Sequence, residues 1–461
     1  MESKNIAVDK IVEICGNTVI STGTASTIKT FCSDTRILKK GDMFISLKSE
    51  TNDGIKYIKE AFEKGAMGCI TEYEIPNEIL EKNRDKLIIK VNDIVKAIQE
   101  IAKYKRSLFD IPVVAITGSV GKTSTKDMVA SVIAQKYNVA KTQGNYNNHI
   151  GVPLTILNWN ENTEAAVVEM GMNHFGEISV LTKIVKPTVA VITNVGTAHI
   201  GILGSRENIL KAKLEILEGL DNQGKIVINN DNDLLNTCNT NNFEKITYGI
   251  NNSSNYMAEN IIMKEQRSEY VVKINKEKYK IDVPVAGEHF IYNSLCAIAV
   301  GEKLKIDTKK IINGIKSFEL TGKRNEIIEK NNIKIINDYY NASYDSMKAS
   351  LEVLAKINAK RKIAILGDMI ELGEYSEELH KKVGEEVAKN KIEILMTVGN
   401  LAKDIANEAE ILGVKEVYEF DTNEECIKKL EKIIQKEDCI LLKASNRMNF
   451  GEISKFLQGD I

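Results

Sequence analysis

Seven consecutive residues carry the clearest chemical signal in the chain. Gly118, Ser119, Val120, Gly121, Lys122, Thr123 and Ser124 follow a short apolar, β-branched run and precede a helical pattern. Glycines at that spacing let the backbone turn tightly and aim N–H groups at an anion, and the start of the helix adds the positive end of its dipole. Lys122 would neutralise β- and γ-phosphate charge, and the Thr123 hydroxyl would ligate the magnesium that a nucleotide brings with it. The generic loop has a glycine five residues before Gly121, where this chain has Ile116, so the motif is a variant. The plain alternative is a Gly-rich turn.

Other residues could join such a site. Glu169 closes an apolar run and faces the crevice where parallel sheets bind ligands, a place suited to a magnesium ligand and equally to a helix cap. His199 lies at another strand end between glycines, although a lone histidine is more often structural. Lys211 and Lys213 read as a solvated helix face. Asn293 could read an adenine edge through its amide or be an ordinary helix-face residue. Arg324 is positioned to reach phosphate across a domain boundary. Ser33, Asp34, Thr35 and Arg36 offer hydroxyls and a guanidinium fork for a phosphorylated or uridine-like ligand, against the simpler reading of a turn with a surface salt bridge.

The elements that must position these groups follow from periodicity. Val113 to Ile116 reads as a buried parallel strand and the apolar positions from Met128 onward recur at helical spacing. Strands are expected at Ala165 to Val168 and Thr188 to Thr193, a helix at Arg206 to Leu220, a β-ribbon from Asn255 to Val285 and a helix from Glu288 to Leu304. A new alternating unit begins after about residue 320, led in by Thr321-Gly322-Lys323-Arg324, with strands at Lys334–Asn337, Lys362–Leu366, Ile394–Val398 and Cys439–Lys443. The first unit ends in a Lys/Arg-bearing helix, Val91 to Leu108, just before Pro112. The expected fold class is α/β in three domains: 1–108, 109–320 with a mostly parallel sheet around the phosphate loop, and 321–461 with a Rossmann-like sheet.

A chain of 461 residues is too long for one ordinary core, and 43% hydrophobic with 27% charged residues is the balance of a packed globular protein. Lys plus Arg number 62 against 64 Asp plus Glu, so no basic excess argues for nucleic acid, and anionic ligands must be met locally. The seven scattered cysteines form no Cys-x-x-Cys pair, which fits reduced thiols rather than disulfides or zinc. No apolar run approaches a membrane span and the N-terminus lacks a signal pattern, so a cytoplasmic protein without membrane insertion is expected.

Thr-Gly-x-x-Gly-Lys-Thr-Ser resembles the phosphate loop of the Mur ligases, the ATP-dependent enzymes that build the peptide stem of bacterial cell wall. Other motifs agree in order. Asp34-Thr35-Arg36, Lys40-Gly41-Asp42-x-Phe44-Ile45, Asn52-Asp53-Gly54 and Gly65-Ala66 look like the family's N-terminal domain, which holds the UDP end of the substrate; the family often has His where this chain has Ile55. Gly144-Asn145-x-Asn147-Asn148-x-Ile150-Gly151-Val152-Pro153 resembles the branch that adds D-alanyl-D-alanine. So do Asp338-Tyr339-Tyr340-Asn341-Ala342-Ser343, Gly367-Asp368-Met369-x-Glu371-Leu372-Gly373 and Lys443-Ala444-Ser445-Asn446. In that branch Tyr344 replaces a usual proline and Ala444 a usual glycine, and Ala444 is expected to narrow the dipeptide pocket.

The resemblance implies roles. Lys122, Arg324, His199 and Lys213 would be catalytic, and the loop from Gly118 to Ser124 would bind nucleotide with Asn293, Arg324, Asp338 and Asn341. Ser33 to Arg36, Asn145, Asn148, Lys443 and Ser445 would bind substrate. Thr123 and Glu169 would hold one magnesium ion, His199 and a carbamate on Lys213 the other. An ammonium beside two magnesium ions would be repelled, whereas a carbamate is anionic. The implied activity is ATP-driven joining of D-alanyl-D-alanine to a UDP-N-acetylmuramoyl-tripeptide through an acyl phosphate, in peptidoglycan synthesis, by a monomer. A sibling ligase adding one amino acid would differ in its Tyr-Asn-Ala-Ser signature, a folylpolyglutamate synthase would lack the UDP-type domain, and a regulator without catalysis would be expected to lose Glu169, His199 or Lys213.

Overall fold

The computed structural model describes residues 4–16, 19–48, 54–240, 243–322 and 324–459. Asn52, Asp53 and Lys323 of the motifs above lie outside the described residues. Among the described residues three main sheets form, one for each alternating stretch of the sequence, in the α/β arrangement expected.

The first sheet runs Val19–Thr22, Leu87–Lys90, Gly68–Thr71, Met43–Ser46, Phe31–Cys32, with its first pair antiparallel and the rest parallel. The helix Ile94–Ser107 follows, capped by Asp93, whose carboxylate accepts from the Lys96 N–H. Its buried face of Ile98, Ile101 and Ala102 joins a core that continues into the central domain. Arg106 fastens that junction, donating to the Val185, Lys186 and Phe109 carbonyls at 2.7, 3.1 and 2.6 Å. A buried guanidinium must be satisfied in this way, because an unpaired charge there would cost several kcal/mol on the order of.

The central sheet has nine strands, of which Val139–Lys141, Ala165–Glu169, Val113–Thr117, Val189–Ile192, Lys225–Asn229, Glu244–Gly249 and Tyr256–Met263 pair in parallel. The expected ribbon from 255 to 285 is not separate: Tyr248 and Gly249 pair with Tyr256 and Met257, so Ser268–Ile274 and Glu277–Val283 extend the sheet in antiparallel fashion. The helix expected at Arg206 to Leu220 breaks, with Arg206–Leu214 giving way to a tighter 3₁₀ turn, Glu215–Gly219. Thr182 Oγ1 takes the Ile216 carbonyl at 2.8 Å, and Gly219 packs on the Thr182 backbone so closely that a Cβ would sit 2.3 Å from its oxygen. Glu215 is drawn aside to accept from the Gly176 and Ser179 N–H groups at the start of the neighbouring helix Glu177–Val185.

The third sheet runs Glu326–Lys330, Ile333–Asn337, Asp438–Lys443, Arg361–Gly367, Ile394–Val398, Glu416–Phe420, parallel except for its first pair. In this sheet the two strands that periodicity missed are the edges, and their charged residues, as in Glu-Ile-Ile-Glu-Lys, blur the apolar pattern. All seven cysteines are free and every one except the half-buried Cys15 is buried. Among the described residues no helix is long and apolar enough to cross a membrane.

Candidate active site between the central and C-terminal domains

The strand Val113–Thr117 delivers its chain into the phosphate loop and the helix Lys122–Ile133 leaves it. Gly121, with φ of 78°, is the left-handed residue from which the helix starts. At Gly118 there is no room for a side chain, since a Cβ would meet Thr193 Oγ1 at 1.9 Å. The loop is strapped from the adjacent strand end. Asn194 accepts from the Val120 N–H at 3.0 Å and donates to the Val120 carbonyl at 3.1 Å, and Thr193 Oγ1 donates to the same carbonyl at 2.8 Å. Ser119 Oγ accepts from the Gly196 N–H at 2.9 Å. Lys122 folds back, donating to the Gly118 and Ser119 carbonyls at 2.8 and 3.2 Å, and burial lowers its pKa.

Glu169 ends its strand buried, 2% exposed. Its Oε1 accepts from Asn147 Nδ2 at 2.7 Å, whereas Oε2 is buried with no partner among the described residues. His199 adopts the left-handed backbone, φ 64°, ahead of the short turn Ile200–Leu203. Its Nδ1 is 2.7 Å from Glu371 Oε2 of the C-terminal domain. Burial, then the positive charges of Lys122 and Lys213, lower its pKa against the pull of Glu371. Lys213 is 1% exposed and is held well below the usual lysine range, by burial first and by Lys122 second.

On the same side as the phosphate loop, Asn293 sits on the helix Glu288–Lys303 with Oδ1 accepting from Thr125 Oγ1 at 2.9 Å and Nδ2 unpartnered. Arg324 stacks on Tyr340, its guanidinium carbon 4.0 Å from the ring centre. Asp338 is gripped by Lys443 Nζ at 2.6 Å and Ser350 Oγ at 2.6 Å, and Lys443 also donates to the Asp338 and Asn341 carbonyls. Lys443, 2% exposed, thus shapes the 338–341 loop. Ser445 does likewise for the next loop, accepting from the Ile370 N–H at 3.1 Å. Asp345 reaches back to the central domain, accepting from the Thr197 N–H and hydroxyl at 2.8 and 3.0 Å.

These groups enclose a cavity of about 440 Å³ between the two domains. Of the residues predicted from sequence, Ser119 to Ser124, Asn148, Glu169, His199, Asn293, Arg324, Asp338, Asn341 and Lys443 line it. Gly118, Lys213 and Ser445 do not line it, and neither do Asn145 or Ser33 to Arg36. In that last group Arg36 Nη2 binds Asp34 at 2.6 Å while its side chain stays 86% exposed. Asn148 Oδ1 accepts from the Ile150 and Gly151 N–H groups, and its neighbour Asn147 is the one that touches Glu169. Sequence reasoning missed Asn147, Asn194, Asp345 and the contact of Glu371, of which Asn147 and Glu371 lie inside motifs quoted above. Ala444 is fully buried beside Phe450 and Gly367 in the C-terminal core and does not line this cavity.

The description "Mur ligase middle domain" fits residues 116–301, and "Mur ligase, glutamate ligase domain" fits residues 323–446. The chain is 37% identical over 431 residues, 92% of each chain, to the UDP-N-acetylmuramoyl-tripeptide--D-alanyl-D-alanine ligase of Bacillus subtilis (strain 168). The chain belongs to the Mur ligase family. Its fold matches a crystal structure of MurF from Acinetobacter baumannii with a TM-score of 0.88 at 26% identity over all of both chains. It also matches the MurF ligase of Thermotoga maritima in complex with ADP, with a TM-score of 0.81 at 27% identity, covering 94% of this chain and 98% of that one.

The residues present fit a Mur ligase's magnesium. The buried, unpartnered Glu169 Oε2 calls for a cation, and the Thr123 hydroxyl is a hard oxygen ligand. Among the described residues no group of three His, Cys, Asp or Glu forms a metal cage. Tyr344, where the resemblance leads one to expect proline, is the first residue of the helix Tyr344–Lys356, after the Ser343 cap. The N–H that proline lacks has no helical partner at that position, so the helix start and its capping box tolerate the exchange.

Proposed function

We propose that this chain is an ATP-dependent, ADP-forming ligase that joins D-alanyl-D-alanine to UDP-N-acetylmuramoyl-tripeptide, giving the pentapeptide precursor of peptidoglycan. The observation that carries this reading is the cavity in which the phosphate loop and Glu169 of the central domain face Arg324, Asp338 and Asn341 of the C-terminal domain. Relatives of that activity matched along nearly the full chain support it.

The tripeptide carboxylate attacks the γ-phosphorus of ATP, the bond to the β-phosphate oxygen breaks, and ADP and an acyl phosphate result. The dipeptide amine then attacks the acyl carbon, phosphate leaves, and the amine's proton passes to solvent or phosphate. Positioning and charge stabilisation dominate such transfers. Lys122 leaves its carbonyl partners for β- and γ-phosphate oxygens, and Arg324, fixed on Tyr340, reaches the same charge from the other domain. The free Asn293 Nδ2 is offered to adenine and the Asp338–Asn341 loop to the nucleotide. Thr123 and Glu169 would hold one magnesium ion and His199 with Lys213 a second, supplying charge neutralisation for the phosphates. For Lys213 that role needs a carbamate, and burial and then Lys122, which disfavour its ammonium form, favour the free amine that adds carbon dioxide.

The three units divide the work: 1–108 takes the UDP end through Ser33 to Arg36, 109–320 holds ATP and metal, and 321–461 holds the dipeptide with Lys443 and Ser445 shaping its loops. Asn145 and Asn148 are assigned to the substrate, and beside Asn148 the His149 carbonyl accepts from Gln99 of the first unit at 3.0 Å. The enzyme works in the cytoplasm, where nucleotide and UDP-linked substrates are found, as a monomer. The test is phosphate release from ATP with magnesium and UDP-N-acetylmuramoyl-tripeptide, with and without D-alanyl-D-alanine. Release that depends on the dipeptide, with the pentapeptide seen by mass, is expected; turnover with a single amino acid instead would transfer the chain to a sibling activity.

A further inference from the structure

The strand Val189–Ile192 runs on into residues 193–197, a strap laid across the phosphate loop, and every residue of the strap is tied down. Thr193 and Asn194 hold Val120, and the Asn194 carbonyl also accepts from the Ser119 N–H at 3.1 Å. The Val195 carbonyl accepts from Arg206 Nη2 at 2.8 Å and from Asn232 Nδ2 at 3.1 Å. The Gly196 N–H donates to Ser119 Oγ, and Thr197 donates through both its N–H and its hydroxyl to Oδ2 of Asp345. All of these ties but the last lie within the central domain. The last comes from the C-terminal domain, on the helix Tyr344–Lys356.

A carboxylate in the first turn of a helix ordinarily serves that helix. Here the helix start is already satisfied by the capping box of Ser343 and Ser346, and the Asp345 carboxylate is spent on the other domain. Gly196 makes room for it, since a Cβ there would overlap Asp345 Oδ2. Gly196 thus has the phosphate loop on its N–H and the C-terminal domain against its α-carbon. We infer that Asp345 is a positioning residue for the nucleotide: it acts through Thr197 and Gly196 on Ser119, so that the seated C-terminal domain sets the phosphate loop in its anion-binding shape. This rests on the reading of Gly118 to Ser124 as the nucleotide's phosphate loop. Because such coupling is reciprocal, bound nucleotide favours the seated domain to the same extent. A second hold on the junction keeps the domain in place when Asp345 is changed, the Gly201 N–H donating to the Glu371 carbonyl at 3.2 Å and the Tyr375 hydroxyl to the Gly204 carbonyl at 2.6 Å. Substitution at Asp345 therefore isolates the strap.

The test uses full-length protein with ADP and Mg²⁺ as the probe, and the variants Asp345→Ala, Asp345→Asn, Thr197→Val and the double variant of Asp345→Ala with Thr197→Val. In isothermal titration the Kd for ADP should rise roughly 5- to 10-fold in Asp345→Ala. It should rise less in Thr197→Val, which keeps its N–H, and no further in the double variant than in Asp345→Ala, because the two side chains act as one contact. Asp345→Asn, whose amide oxygen can accept both donors, should keep most of the affinity. Without nucleotide, hydrogen exchange at the Val120 and Gly196 amides should speed up in Asp345→Ala, while the strands Ile333–Asn337 and Arg361–Gly367 keep their protection. A merely structural role at the helix start would instead speed exchange within 344–356, leave the phosphate loop as in the parent, and make the two substitutions additive. Unchanged ADP affinity in Asp345→Ala overturns the inference, as do unchanged exchange at the loop and additive effects in the double variant. A parent protein that binds no ADP would overturn the nucleotide reading, and this inference with it.

Discussion

Replacing Asn194 by alanine isolates the strap across the phosphate loop. The side chain makes two hydrogen bonds to one residue, accepting from the Val120 N–H and donating to the Val120 carbonyl. Each such bond contributes about 0.5–1.5 kcal/mol net, so at most about 3 kcal/mol of loop order is at stake. The carbonyl keeps a partner in Thr193 Oγ1, which limits the loss to the N–H and puts the expected cost nearer 1.5 kcal/mol. If ordering the loop falls to the nucleotide, its Kd rises by about tenfold, since 1.4 kcal/mol is a factor of ten. Asn194→Asp keeps the acceptor and adds a negative charge beside the phosphates, so it should weaken ADP and ATP more than alanine does. Thr193→Val combined with Asn194→Ala removes both hydroxyl and amide partners of the carbonyl and should cost more than the two single changes summed. The assay is isothermal titration with ADP and magnesium, with thermal melts to show that the fold is kept. An alanine variant that binds ADP as tightly as the parent would refute the idea that Asn194 preorganises the loop.

Three more outcomes are expected. Gly118→Ala, whose methyl would collide with Thr193, should abolish measurable nucleotide binding by titration while leaving the first and third sheets folded by hydrogen exchange. Lys213→Ala should remove ligase activity, and the parent enzyme depleted of carbon dioxide should lose activity that bicarbonate restores, with a ¹³C carbamate resonance appearing in parallel; an enzyme indifferent to bicarbonate would count against the modification. Stability should rise with pH between about 4 and 6.5, because burial lowers the His289 pKa to about 4 and its Nε2 lies 2.9 Å from the Asn325 amide nitrogen, which donates to a neutral ring. Below the ordinary histidine pKa the unfolded chain binds a proton that the folded chain refuses, so that contribution, at most about 3 kcal/mol, is full above the window and lost as pH falls through it. Urea unfolding of His289→Gln against the parent should show a flatter pH profile.

The sequence made the strands that carry chemistry legible because they are buried on both faces: Val113–Thr117 and Ala165–Glu169 are uninterrupted apolar runs that end where the ligand crevice begins. It hid Glu326–Lys330 and Glu416–Phe420, whose edge positions admit charged residues among the apolar ones. Residues with a lone chemical identity, such as Lys122, Glu169 and His199, could be nominated by type and place. Asn194 could not, because an asparagine serves equally well in a turn, and only the distance to Val120 separates a strap from a spacer. The same holds across the domain junction. Nothing local tells Glu371 from any other surface carboxylate, since its partner is 172 positions away in the chain and on another sheet. The break at Glu215 was likewise invisible, being imposed by Thr182 and Gly219 packing rather than by helix propensity.

The buried cysteines have a use outside catalysis. Burial raises the pKa of all seven thiols, to about 12 in Cys15, Cys69, Cys426 and Cys439, so almost none is thiolate in the native protein. A thiol that reacts only as thiolate, and only when reached by solvent, is a clock for opening. Cys32 and Cys69 lie in the first unit, Cys238 and Cys296 in the central one, Cys426 and Cys439 in the last. Pulsed alkylation read peptide by peptide therefore times the unfolding of each unit separately in the unmodified chain, with no engineered label, and nucleotide should slow the central pair first.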